Sequence, residues 1–156
     1  MPLTDAMRQQ IRRNIDEHGQ HLMRVFLTED DPEGALPFVY TIGNYERGLP
    51  ELLLIGFAER PFLSILNQLG EIQRERKVGF HHGELVDLGG TYPVRITDAG
   101  AVGRDEYAVQ VSVFYGIDDY PVRQILICDR AGRFPDNPEC DAPYRSQPVL
   151  SANLLH

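Results

Sequence analysis

Apolar residues recur at every fourth position at the start of the chain, and this spacing predicts an amphipathic α-helix. The repeat consists of Leu3, Met7, Ile11 and Ile15. Side chains that are three or four residues apart lie on one face of an α-helix, so this face should pack on the rest of the protein. Thr4 can cap the start of the helix and Gly19 can end it. We therefore expect an N-terminal amphipathic helix within residues 1–19.

Four apolar runs further along the chain have the length and composition of β-strands. They cover residues 21–27, 38–42, 51–56 and 122–128. The run at 51–56 has no polar alternation, which is typical of a central strand that is covered on both faces. Two shorter strands are predicted within residues 84–98, around the pair Gly89 and Gly90.

A second helix is predicted after residue 60, and a later segment is ambiguous. Pro61 fits the first position of a helix. The apolar stripe that follows it consists of Phe62, Ile65, Leu66, Leu69 and Ile72. In residues 105–116, valines at alternate positions fit a strand, whereas the spacing of Tyr107, Val111 and Phe114 fits a helix. We favour the helix for this segment.

The order of these elements favours an α+β fold over a doubly wound α/β fold, because helices and strands do not alternate regularly. We predict a single domain with a mixed, mostly antiparallel sheet and two or three helices packed on it. The length of 156 residues fits one domain with a sizeable core. Residues 135–156 contain four prolines, so this tail should cross the surface as coil.

Charge and composition narrow the classes of partner. The formal net charge is −8, and an acidic surface repels phosphate backbones, so we expect no nucleic-acid partner. The basic residues Arg74, Arg76 and Lys77 are interleaved with acids, which is typical of a solvated helix face. No apolar run approaches the roughly 20 residues that a membrane helix needs, and the first residues do not resemble a secretory signal. These patterns predict a cytoplasmic protein with no membrane partner.

The residue patterns of common enzymes and metal sites do not occur in the sequence. It has no glycine-rich phosphate loop, no Gly-x-Ser-x-Gly, no His-Glu-x-x-His and no Cys-x-x-Cys. The neighbours His81 and His82 would point to opposite faces of a strand. Cys128 and Cys140 lack the spacing of a zinc site. The sequence therefore identifies no catalytic residue, and we expect no metal and no cofactor.

Three ordered segments resemble a known family. The first, which we name the signature segment, covers residues 37–52 and reads Pro-Phe-Val-Tyr-Thr-Ile-Gly-Asn-Tyr-Glu-Arg-Gly-Leu-Pro-Glu-Leu. The others are Gln-Ile-Leu-Ile-Cys-Asp at 124–129 with Gly-Arg-Phe-Pro at 132–135, and Gln-Pro-Val-Leu at 147–150. Together they resemble the small bacterial proteins grouped as domain of unknown function 4262 (DUF4262). The resemblance implies no particular reaction, because that family has no established activity.

The signature segment and residues 124–135 also contain the candidate binding residues, because loops on a rigid sheet often carry function. These candidates are Tyr40, Thr41, Asn44, Glu51, Asp129 and Arg133. In the functional interpretation they surround one pocket, in which Arg133 holds an anion. In the structural interpretation the turn satisfies its own hydrogen bonds, and Arg133 pairs with Glu51 or Asp129.

Two hypotheses for function follow from these patterns. The first is a binding or interaction module without a standard catalytic motif, for an unknown protein or small-molecule ligand. The alternative is a small enzyme, or a domain that binds a small molecule or anion, with its pocket between residues 37–52 and 124–135. A homodimer is also expected, because two-fold dimers are the commonest assemblies of soluble proteins.

Overall fold

The N-terminal helix α1 spans Asp5–His18 in the computed structural model, which describes residues 2–155 and the side chains of residues 2–152. The Thr4 hydroxyl accepts a backbone hydrogen bond of 3.2 Å in the first turn, and Gly19 ends the helix with a φ of 90°. Ile11 and Ile15 are buried on its inner face. The apolar stripe of the sequence is therefore the face that packs on the sheet.

Six strands form one mixed sheet. Their bounds are β1 (His21–Val25), β2 (Phe38–Ile42), β3 (Glu51–Ile55), β4 (Leu85–Val86), β5 (Val94–Asp98) and β6 (Val122–Leu126). The order across the sheet is β1-β2-β3-β6-β5-β4. In the described part of the chain, β3 and β6 pair in parallel and the other four pairings are antiparallel. The predicted mixed, mostly antiparallel sheet is confirmed, and its edge strands are β1 and β4.

The other helical elements lie between and after the strands. They are α2 (Arg60–Arg76), α3 (Gly100–Val102) and α4 (Val109–Tyr115), with a π-helical turn at Gly103–Tyr107 and 3₁₀ turns at Tyr45–Arg47, Tyr144–Ser146 and Leu150–Leu155. This number is larger than the two or three helices predicted, because the shortest elements are too short to show an apolar period. Within residues 2–155, no helix has both the length and the apolar character needed to cross a membrane.

The sheet lies between two helical layers, because successive side chains of a strand point to opposite faces. On one face α1 and α4 pack on residues such as Tyr40, Ile42 and Leu53. On the other face α2 packs on residues such as Val39 and Leu52. All five residues of β3 are buried, as expected for a central strand that is covered on both faces.

The C-terminal tail differs from the surface coil that its prolines predict. It is irregular, but Gln147 and Leu150 are buried. The Gln147 side chain accepts a hydrogen bond from the Ile127 amide at 2.9 Å and donates one to the Ile127 carbonyl at 2.7 Å. The tail therefore continues the pairing of the chain beyond the end of β6. Prolines prevent regular structure in a segment, but they do not prevent its burial.

Candidate functional site

The signature segment forms the whole of β2, the turn that follows it with its 3₁₀ helix, and the first two residues of β3. Gly43 has a φ of 131° where the chain leaves β2, a backbone conformation that side chains disfavour. A Cβ atom at Gly43 would also lie 3.0 Å from the Ile15 side chain and 3.1 Å from the Gly19 carbonyl oxygen. The turn therefore packs directly on the end of α1, and both the conformation and the close contact require glycine.

The Glu51 side chain occupies the centre of this turn. It is fully buried, and its carboxylate oxygens accept five hydrogen bonds. Three come from the consecutive backbone amides of Gly43, Asn44 and Tyr45, at 3.0, 3.1 and 3.0 Å. The other two come from the Thr41 hydroxyl at 2.7 Å and the Asn44 side chain at 3.3 Å. Thr41, Asn44 and Glu51 therefore form one cluster, as their positions in the signature segment suggest.

The hydrogen-bond partners of Glu51 favour its ionised form. Burial nevertheless raises the pKa of the Glu51 carboxyl above its ordinary value, although the donors, led by the Tyr45 amide, act to lower it. The Thr41 hydroxyl accepts the hydrogen of the Leu52 amide at 2.9 Å, so its own hydrogen points to the carboxylate. Every partner thus donates, and a proton on Glu51 would face another hydrogen. Successive backbone amides hold anions in the same way at other protein sites.

Gln20 and Arg74 form the outer layer of the Glu51 cluster. The Asn44 side chain donates to Oε1 of Gln20 at 2.9 Å. The Arg74 guanidinium donates to the same oxygen at 2.9 Å and to Oδ1 of Asn44 at 3.2 Å. Gln20 in turn donates to the Leu66 carbonyl of α2 at 3.1 Å. A continuous series of polar contacts therefore runs from Glu51 to Arg74, and burial lowers the pKa of Arg74.

The sequence patterns did not identify Gln20 or Arg74 as part of a site. They predict Arg74 on a solvated helix face, whereas it is only partly exposed and binds Gln20 and Asn44. The signal in the sequence is Gly70, one turn earlier in α2. A Cβ atom there would collide with the Gln20 side chain, and a glycine inside a helical pattern often marks such a close approach.

Tyr40 belongs to a different part of the protein from Thr41. The two residues are neighbours in β2, so their side chains point to opposite faces of the sheet. The Tyr40 hydroxyl accepts the Gln110 amide hydrogen at 3.1 Å at the start of α4, and burial raises the pKa of Tyr40. Tyr40 is therefore a core residue of the layer of α1 and α4, and it does not contact the Glu51 carboxylate.

Asp129 and Arg133 form a second cluster, in the turn after β6. The Asp129 carboxylate accepts the backbone amides of Ala131 and Arg133 at 2.9 Å each, and that of Asp141 at 3.0 Å. The Arg133 guanidinium adds a fourth hydrogen bond at 2.9 Å. Burial acts to raise the pKa of Asp129, but these donors, led by the Arg133 amide, hold it well below its ordinary value.

The two clusters lie at opposite ends of the sheet, so the predicted common pocket does not form in the described part of the chain. β2 runs antiparallel to β3. β3 and β6 are parallel and begin at the same end of the sheet, where Glu51 lies opposite Val122. Asp129 lies beyond the other end of β6, after Leu126, and a five-residue strand is about 16 Å long. The suggested pairing of Arg133 with Glu51 is therefore wrong. Arg133 pairs with Asp129 instead, as the structural interpretation also allowed.

An open groove lies beside the Glu51 cluster, between β1 and α2. We name it the β1–α2 groove; its volume is about 870 Å³. Its lining includes Gln20, Leu22 and Arg24 on the β1 side and Leu63, Asn67 and Arg74 on the α2 side. The outer layer of the Glu51 cluster, formed by Gln20 and Arg74, is thus also a wall of this groove.

The groove presents charged and apolar groups together. Two further lining residues, Glu71 and Glu75, are exposed. In the described part of the chain neither has an ion-pair partner. Arg24, in contrast, donates two hydrogen bonds to the Ala58 carbonyl, at 3.0 and 2.8 Å. The groove therefore carries charges of both signs: Arg24 on the β1 side, and on the α2 wall Glu71 and Glu75 with the single cation Arg74, which interacts electrostatically with Glu71.

The two cysteines are buried, and the neighbouring histidines His81 and His82 have partners. Both cysteines are buried free thiols, and burial raises the pKa of each. The His82 ring accepts the Asp98 amide hydrogen at 3.1 Å, whereas the His81 ring lies 3.0 Å from the Glu84 carboxylate. Among the residues that the structure describes, no three His, Cys, Asp or Glu side chains are placed to hold a metal ion.

Comparison with known proteins identifies a family. The model described as "Domain of unknown function (DUF4262)" matches residues 14–141. This range contains both carboxylate clusters and all the groove residues named above. No curated protein and no solved structure matches the chain.

Proposed function

The chain belongs to the DUF4262 family, and we propose that it is a non-catalytic binding module whose ligand site is the β1–α2 groove. A binding or interaction module is also the function that the sequence predicts. The ligand would contact the surface that the signature segment supports, and not the buried turn of that segment. The alternative, a small enzyme or a domain that binds a small molecule or anion, needs its candidate residues around one pocket between residues 37–52 and 124–135, whereas the Glu51 and Asp129 clusters lie at opposite ends of the sheet.

The observation that carries the proposal is that the buried polar cluster ends at the wall of an open groove. Glu51 has no exposed surface, and five donors occupy its carboxylate, so it is suited to hold a turn and unsuited to touch a substrate. Through Asn44 it fixes the positions of Gln20 and Arg74. Side chains that are fixed in advance lose little conformational entropy when a ligand binds.

The lining of the groove also has the composition of a ligand site. Leu22 and Leu63 provide apolar surface, while Asn67, Arg74 and Glu71 place an amide, a cation and a carboxylate around it. Binding sites commonly combine an apolar wall with a few polar groups that orient the ligand. This mixture supports a ligand that itself has both polar and apolar groups.

We also propose that the module works in the bacterial cytoplasm, without a nucleic-acid partner. The two free thiols are in accord with a reducing compartment. The net charge of −8 opposes binding to phosphate backbones. The bacterial source rests on the family resemblance.

A ligand screen by NMR spectroscopy, with the protein labelled with nitrogen-15, tests the proposed function. Short peptides and small polar molecules are added at about 1 mM, and compounds that bind are expected to shift the side-chain amide signals of Gln20 and Asn67. Asn67→Ala should weaken the binding of these compounds about tenfold, because it removes a hydrogen-bonding group from the groove. The matched control is Gln9→Ala, which removes an exposed helical amide outside the groove.

Two results would count against the proposal. The first is a screen in which no compound binds. The second is a set of compounds that shift signals elsewhere and bind Asn67→Ala as well as the unchanged protein.

A further inference from the structure

We propose that the β1–α2 groove binds an extended peptide segment of a partner protein, which joins the sheet as a strand beside β1. This inference rests on the proposed function and names the ligand class of the same groove. The segment places a basic side chain near Glu71 and Glu75, and an apolar side chain near Leu22 and Leu63.

β1 is an edge strand whose backbone is paired on one side. It pairs with β2 along all five of its residues, from His21 opposite Ile42 to Val25 opposite Phe38. No strand of the described residues pairs with its other side. Alternate amide and carbonyl groups of an edge strand point away from the sheet. An extended peptide satisfies them when it adds as a new strand.

Helix α2 flanks this edge on one face of the sheet. Gln20 donates to the Leu66 carbonyl in the middle of α2, and Arg24 donates to the Ala58 carbonyl just before α2 begins. β1 and α2 therefore run in opposite directions along the groove. A strand added to β1 would point every second side chain toward α2, as Gln20, Leu22 and Arg24 do.

The α2 wall selects the chemistry of the peptide. Glu71 and Glu75 are four residues apart, about 6 Å along the helix axis, which is close to the ~7 Å between alternate side chains of a strand. Among the described residues neither is in an ion pair, and both lie in the half of α2 nearest to Gln20. A lysine or arginine of the peptide would meet two opposite charges there against the one like charge of Arg74. Leu63, nearer the start of α2, offers an apolar contact instead.

The same row of side chains continues beyond β1 to an exposed aromatic residue. Phe26 is 55% exposed, and the guanidinium of Arg24 lies 4.8 Å from the centre of its ring. The next residue, Leu27, is 48% exposed. The Phe26 ring continues the row of side chains on the α2 side, and Leu27 adds apolar surface next to it at the end of β1.

Two synthetic peptides test the inference. One is acetyl-Thr-Lys-Thr-Thr-Thr-Leu-Thr-Thr-amide, and the other has the same residues in reverse order, so that both strand directions are covered. The lysine and leucine are four residues apart, about 13 Å along a strand, which is close to the roughly 12 Å that separate Glu71 from Leu63 along the axis of α2. Binding is measured by titration, and hydrogen exchange of the β1 amides reports whether a strand has been added.

We expect one of the two peptides to bind and to slow exchange at alternate amides of His21–Val25. A glutamate in place of the peptide's lysine should weaken binding at least about tenfold, because it would face Glu71 and Glu75. The double variant Glu71→Gln, Glu75→Gln should weaken binding of the lysine peptide about five- to tenfold. The matched control, Glu106→Gln with Asp118→Asn near α4, should leave this affinity unchanged.

Each other outcome overturns the inference in a distinct way. Peptide binding without protection of β1 amides would reject strand addition while keeping the groove as a ligand site. No binding of either peptide at about 1 mM would reject the peptide class, and the screen with Asn67→Ala then decides the proposed function separately. A dimer whose β1 amides are protected without peptide would assign this edge to a second copy of the chain.

Discussion

At the scale of single residues, two buried carboxylates hold the two turns that carry the family resemblance. Glu51 accepts five hydrogen bonds and Asp129 accepts four, most of them from backbone amides of their own turns. A set of converging amides is an anion site, so each carboxylate acts as an internal ligand of its turn. The sequence suggests Glu51 and Asp129 as binding residues, but in the structure both stabilise turns of the chain itself.

Glu51→Gln is expected to lower the free energy of unfolding by about 2–4 kcal/mol. The glutamine amide would direct its hydrogens at donors such as the Gly43 and Tyr45 amides and leave them unsatisfied in the core. Urea unfolding at neutral pH measures the change. The control Glu71→Gln, on the exposed side of α2, should change stability by less than about 0.5 kcal/mol. Equal effects in the two variants would contradict this role of Glu51.

Asp129 is expected to make the stability depend on pH in the acid range. Although burial acts to raise the pKa of Asp129, its donors hold this pKa below the value of about 3.9 in the unfolded chain. The unfolded state therefore takes up protons first, and the stability contributed by Asp129 is present above about pH 4 and is lost as the pH falls. Asp129→Asn should be less stable than the unchanged protein at neutral pH, and the difference should narrow in acid.

Urea midpoints of both proteins, measured from neutral pH down to about pH 2, check this pH dependence. Asp118→Asn, at an exposed position, is the matched control and should follow the unchanged protein. If the urea midpoints of Asp129→Asn and of the unchanged protein differed by the same amount at every pH, Asp129 would not be a source of the pH dependence.

At the scale of elements, the junction of α1, β1 and α2 depends on two small details of sequence. Gln20 lies between the end of α1 and the start of β1, and its side chain is 3.1 Å from the Leu66 carbonyl. Gly70 has no side chain at the point where Gln20 approaches. The apolar stripe of α2 predicts that the helix packs on the sheet, but this polar contact determines where along β1 it lies.

Gly70→Ala is expected to destabilise the protein by about 1–2 kcal/mol, although alanine is the better helix former by about 1 kcal/mol. The added methyl group would collide with the Gln20 side chain and lie 2.8 Å from Nη1 of Arg74. Gln20 would then have to leave its partners. Thermal unfolding measures the effect, with Ser64→Ala on the exposed side of α2 as a control that should be neutral or slightly stabilising. A more stable Gly70→Ala protein would argue against this close contact.

At the scale of the whole molecule, the C-terminal tail completes the end of the sheet that lies opposite the Glu51 cluster. Gln147 pairs with both backbone groups of Ile127. The Leu150 amide donates to Gln124 of β6 at 3.1 Å. The third segment of the family resemblance therefore binds the chain at the end of β6, whereas the turn of the first segment binds Glu51 at the start of β3.

Gln147→Ala is expected to destabilise the protein by about 1–3 kcal/mol, because it leaves the amide and carbonyl of Ile127 without partners. Urea unfolding measures the loss, and Arg145→Ala, at an exposed position of the same tail, is the control. Equal stability of Gln147→Ala and the unchanged protein would mean that water replaces the side chain at no cost.

The surface charge of the whole chain leads to a prediction about partners. With a net charge of −8, the protein should show no mobility shift with duplex DNA or RNA at physiological salt, because it would release few counterions from the nucleic acid. A reversible shift at micromolar protein concentration would contradict this expectation. A basic peptide, in contrast, should be attracted at long range, and its association rate should fall as salt is added.

Local patterns predicted much of the fold and part of the site. The period of α1, the run at 38–42 and the unbroken apolar run of β3 report which faces are buried, and burial of a face is a property of neighbouring positions along the chain. The cluster of Thr41, Asn44 and Glu51 follows in the same way, because its members lie within one short turn. The tail was harder to predict, because prolines report the local conformation and not the burial of a segment.

The sequence by itself determined the two long helices, the strands, the fold class, the family and the residues of each turn. Only the tertiary structure decided which turns meet. Because β2 is antiparallel to β3 and β6 is parallel to it, Glu51 and Asp129 lie at opposite ends of the sheet. The same long-range packing placed Gln20 against Arg74 across 54 residues of sequence and left β1 at an edge beside α2. The physical reason is that periodicity records which face of an element is buried, whereas the neighbour and direction of a strand depend on pairings between distant segments.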